Sequence, residues 1–69
     1  MSICPDMVFD RAKKAIAGGD TVTAISMKKI LGVLVLRAQQ KNNKEQVVNL
    51  CARHREIHLG IGVLLQRKT

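Results

Sequence analysis

Ile30-Leu31-Gly32-Val33-Leu34-Val35-Leu36 is the longest apolar run in the chain, and its reading decides the fold. Val and Ile favour strands, and seven residues would make one buried strand. The flanks argue otherwise. Ala24 to Lys29 before the run and Arg37 to Gln40 after it are mostly helix formers, with no turn signal between them and the run. The stretch therefore reads as the middle of one long helix, opening between Asp20 and Thr23 and ending near Gln40. Asp20, Thr21 and Thr23 are all N-cap types. A helix apolar on every side is expected to be buried on every side.

Working outward, the punctuation on either side separates two more helices. Gly18 and Gly19 stop an N-terminal helix that starts at Pro5, a residue suited to a first turn because its missing N–H would be unpaired there. Asp6 and Asp10 favour the positive end of its dipole, and Asp10 and Lys14 form an i,i+4 pair. On the other side, Lys41-Asn42-Asn43-Lys44 is a polar break, and Asn43 with Gln46 reads as a capping box. The third helix carries a seam of alternating four- and three-residue spacing: Val47, Cys51, His54, His58, Ile61 and Leu65, widened by Val48, Leu50, Ile57 and Leu64. Gly60 and Gly62 weaken it, by bending the helix or by admitting a neighbouring backbone. A polar end, Gln66 to Thr69, suits a helix C-terminus.

The expected fold is all-α: one domain over residues 1–69, a short helix followed by an antiparallel helical hairpin. One hairpin cannot cover both an all-round apolar helix and a continuous seam. The reading is therefore a homodimer, two hairpins forming a helical bundle, with Leu34, Val47, Cys51, His54, His58, Ile61 and Leu65 at the dimer interface.

Composition narrows the function. Sixty-nine residues leave room for one small core, which usually needs a partner or a staple. Two cysteines, Cys4 and Cys51, allow at most one bridge and exclude a disulfide-dense secreted scaffold. No apolar run approaches the roughly 20 residues that span a bilayer. The expectation is a cytoplasmic protein with no membrane association and no cofactor.

Catalysis has no motif to stand on: no phosphate loop, no G-x-S-x-G, no carboxylate pair. Cys51 and His54 would make a dyad, but on a seam expected to be buried. Cys51, His54 and His58 share one face at zinc-ligand spacing. Without H-E-x-x-H, and with Glu56 on another side, they read as packed seam residues and not as a metal site. The chain is expected not to be an enzyme.

Charge points to a partner. Twelve Lys and Arg face five Asp and Glu, a net charge of +7. Residues 21–44 hold Lys28, Lys29, Arg37, Lys41 and Lys44 with no acid. Such a surface attracts phosphates or acidic protein equally. Base stacking needs aromatics, and Phe9 stands alone. A helix-turn-helix alignment over Ala15 to Ile25 fits at Ala15, Gly19 and Ile25 and fails at Lys14 and Gly18. The surplus of apolar helix favours protein. The leading expectation is a small non-enzymatic dimeric regulator or inhibitor, of the build used by phages and other mobile elements, that binds a larger, acidic-rimmed protein through Arg37, Gln39, Gln40, Lys41 and Lys44. The competing expectation is a basic dimer gripping duplex nucleic acid through Lys28, Lys29, Arg37, Lys41 and Lys44.

Overall fold

The computed structural model describes residues 4–67, and among them every regular element is helical: α1 (Pro5–Ala17), α2 (Thr21–Gln40) and α3 (Lys44–Arg67). Ile30 to Leu36 lies inside α2, with no strand. Lys68 and Thr69, at the polar end of the sequence, lie outside the described residues.

Both connections are three residues long and built alike. Gly19 takes a left-handed φ of 78°, and Asn42 one of 56°. Gly19 N–H then donates to the Ile16 carbonyl at 3.2 Å and Asp20 N–H to the Ala15 carbonyl at 2.8 Å. The second turn repeats this, with Asn42 N–H to Gln39 at 3.0 Å and Asn43 N–H to Ala38 at 3.1 Å. This is the double closure that satisfies orphan carbonyls at a helix end.

The residue that closes one helix opens the next. Asp20 Oδ1 accepts from Thr23 N–H at 3.1 Å, which selects Asp20 among the three N-cap types. Asn43 Oδ1 accepts from Gln46 N–H at 3.2 Å. In a full capping box Gln46 would reach back to the Asn43 backbone N–H. That N–H is already held by Ala38, so Gln46 Oε1 instead accepts from the Asn43 side-chain amide at 3.1 Å.

The core draws on all three helices: Val8, Ala12 and Ala15 from α1, Ala24, Leu31 and Ala38 from α2, Leu50, Ile57 and Ile61 from α3. Four of these nine are alanines, so the helices pack closely but bury little. α2 and α3 meet along their length: Lys28 against His58, Gly32 against His54, Val35 beside Cys51, Gln39 beside Val47. α1 meets α3 between Arg53 and Gly60. The molecule measures 41 × 22 × 13 Å.

Within one copy α2 is covered on one side: Leu31 is fully enclosed, but Leu36 is 59% exposed and Val33 is exposed as well. A helix with two neighbours keeps an outer wall. The α3 seam divides within one copy: Leu50, Ile57 and Ile61 are buried in the core, Val47 and His54 are half-buried, and Cys51, His58 and Leu65 are exposed. The line through Leu50 and Ile57 differs from that through Cys51 and His58 by one residue, about 100° round the helix. Leu and Ile bury more apolar area than Cys and His, and α1 packs on their side.

α3 runs unbroken through both glycines. At Gly60 an added Cβ would fall 2.8 Å from Ile16 Cδ1, so the glycine admits a side chain of α1 and not a backbone; at Gly62 nothing lies within 4 Å. Gly62→Ala is therefore expected to stabilise the fold by about 0.5–1 kcal/mol, the helix-propensity difference. Gly60→Ala should gain less than that or lose stability, because Ile16 must move. Thermal unfolding of the two variants measures the contrast.

Candidate interaction surface

Nine large apolar side chains stay exposed among the described residues: Met7, Val22, Ile25, Val33, Leu36, Val48, Leu59, Val63 and Leu65. The total accessible area is 5156 Å². A compact monomer of 7.6 kDa exposes about 4,300 Å². The chain thus exposes more surface than a compact monomer of its mass.

The exposed apolar groups are not scattered evenly. At the end of the molecule formed by the turn after α2, Leu36 is 59% and Val48 68% exposed. Val47 and Val48 line an open groove with Gln39, Asn42, Asn43 and Lys44. Arg37, Gln39, Gln40, Lys41 and Lys44 are all exposed here. Of the expected contact residues, Gln39 and Lys44 line this groove; Arg37, nine residues from Lys28, lies on the side of α2 away from α3.

The expected interface set divides in two. Ile61 is buried in the core and Leu34 packs against it, so both are spent inside one copy. Val47 and His54 are half-buried; Cys51, His58 and Leu65 remain open.

The two histidines part company. Lys28 Nζ and His58 Nδ1 are in hydrogen-bond contact at 3.0 Å. The His54 ring lies over Gly32, its Nε2 3.9 Å from the position of an added Cβ. Cys51 and His54 do share a shallow groove with Gly32 and Val35, with no carboxylate in its lining. Among the described residues no three or more His, Cys, Asp or Glu are grouped to hold an ion.

The α2 lysines and Arg37 do not form one strip. Lys28 and Arg37 are nine residues apart, on about opposite sides of the helix at 100° per residue. What the structure adds is Arg55. It precedes His58 by three residues on α3, and the Lys28–His58 contact sets its turn level with Lys29 on α2. A basic group thus gathers from two helices.

A second feature escaped the sequence reading. Arg53 forms an ion pair with Asp6 and lies over the Phe9 ring, 5.2 Å from its centroid, with Lys13 Nζ at 5.3 Å. These contacts tie α1 to α3. The signal was available: the chain has a single aromatic residue, and Arg53 is one turn from Ile57. Arg53→Ala is expected to lower stability by about 1 kcal/mol, the sum of a cation–π contact and a partly exposed pair. Chemical denaturation measures this, and the loss should shrink to a few tenths in a Phe9→Leu background.

Among the described residues no helix is long and apolar enough to cross a membrane. Comparison with protein-family models, with curated proteins and with solved structures finds no match to this chain.

Proposed function

We propose that this protein is a small non-enzymatic helical regulator that pairs with a second copy and acts by binding a larger protein. The observation that supports the reading is the exposed apolar surface. A core of nine residues, four of them alanine, leaves nine large apolar side chains exposed among the described residues.

α2 and α3 form the antiparallel hairpin from which the dimer is built. Its turn end, where the sequence leads us to expect the larger partner, we assign instead to the second copy. Val47 and Val48, with exposed Leu36 near the same end of α2, supply apolar surface, and Gln39, Asn42, Asn43 and Lys44 a polar rim. Two such ends meeting about a twofold axis make an isologous contact that hides the apolar centre of both copies.

The competing reading is duplex nucleic acid, favoured by the net charge of +7 and by the basic residues on α2. Salt separates the two. Phosphate binding weakens log-linearly with salt through counterion release. An apolar contact keeps its affinity and loses chiefly association rate. Co-expressing tagged and untagged copies and washing the captured pair at rising salt, after nuclease, is the test. The pair should survive. Loss of the untagged copy on nuclease treatment would show nucleic acid holding the two together and would overturn the reading.

A further inference from the structure

We propose that the face of α2 and α3 turned away from α1 docks an acidic amphipathic segment of the partner protein; this rests on the protein-binding reading above. Three observations converge on that chemistry.

The first is a basic centre. Lys28 and His58 are joined across the two helices at 3.0 Å; Lys29 follows Lys28 on α2, and Arg55 stands one turn before His58 on α3, both exposed.

The second is where the acids are. Asp6 pairs with Arg53 and Asp10 with Lys14, both on α1, while Asp20 caps α2 within the first turn. Glu56 lines a groove with Lys13, Ile16 and Gly60 on the α1 side. Glu45 precedes Glu56 by eleven residues, three helical turns, and so shares that side. The face opposite α1 therefore carries basic groups without acids to answer them.

The third is the apolar flank. Ile25 and Leu65 are 38% and 48% exposed. The pairing of Lys28 with His58 carries them to the same end of this face, beyond the basic centre. A duplex backbone offers nothing apolar to cover them. An amphipathic helix with carboxylates in its middle turns and leucines beside them answers both parts of the face.

The probe is a fluorescent synthetic helix of about 20 residues with Glu in its central turns and Leu at its ends, on one side. Two companions carry Lys for Glu, and Ser for Leu. Anisotropy should show the Glu–Leu peptide binding at least tenfold tighter than either companion. Lys29→Glu with Arg55→Glu, both exposed positions, should reverse the preference toward the Lys peptide, with the helical circular dichroism unchanged.

Equal binding of the Glu and Lys peptides would overturn this proposal and leave the protein-binding reading standing. Equal binding of the Leu and Ser peptides would reduce it to bulk attraction and overturn it too. If no peptide binds and a DNA duplex does, with a steep salt dependence, both readings fall.

Discussion

Leu31→Ala is expected to leave the protein unfolded or nearly so at 25 °C. Leu31 is fully enclosed at the middle of α2 and is one of three large side chains with almost no exposure, the others being Leu50 and Ile57. Truncating a buried leucine costs about 2–5 kcal/mol. A chain of this length holds about 3–10 kcal/mol in all. Its alanine-rich core has few atoms with which to close the cavity. Urea titration followed at 222 nm should show the helical signal lost without denaturant, or a midpoint lowered by about 2 M or more, given slopes near 1 kcal/mol per M. A shift below about 0.5 M would mean that the packing of α2 in the core has been misread.

Leu36→Glu combined with Val48→Glu carries the second large effect, and here the fold should survive. Both side chains are more than half exposed in one copy, and surface changes of this kind normally alter stability by less than about 0.5 kcal/mol. Buried in a contact between two copies, the carboxylates would meet an apolar centre with no matching charge. Association should weaken at least a hundredfold, about 2.7 kcal/mol at 1.36 kcal/mol per factor of ten. Light scattering should find the variant monomeric at concentrations where the parent is paired, with its melting temperature no longer rising with concentration. Unchanged mass would move the contact elsewhere on the molecule.

Helix type and boundaries were legible in the sequence because they are set by local chemistry. Pro5, the Gly18–Gly19 pair, Asp20, and Asn43 with Gln46 each act within one turn of themselves, and each stands at the helix end expected. The rotation of α3 was not legible from spacing alone, because two phases satisfy the same alternation. One runs through Cys51, His58 and Leu65; the other runs through Leu50, Ile57 and Leu64. Summed apolar size favours the second for the core of one copy. The contact of Arg53 with Phe9 and Asp6 depends on where α1 lies, which no spacing within α3 encodes. The basic centre was half visible: Lys28 and Lys29 were named, but Arg55 joins them only once α3 is laid against α2.

The surface left over by a single copy is the claim on which the rest depends. Sedimentation equilibrium of the full chain across low to high micromolar concentration tests it most directly. The account predicts a mass near twice 7.6 kDa over that range, and a melting temperature that climbs with concentration. A species of 7.6 kDa with a sharp, concentration-independent transition well above 60 °C would contradict it, for such a monomer would have found its stability without covering Leu36 or Val48.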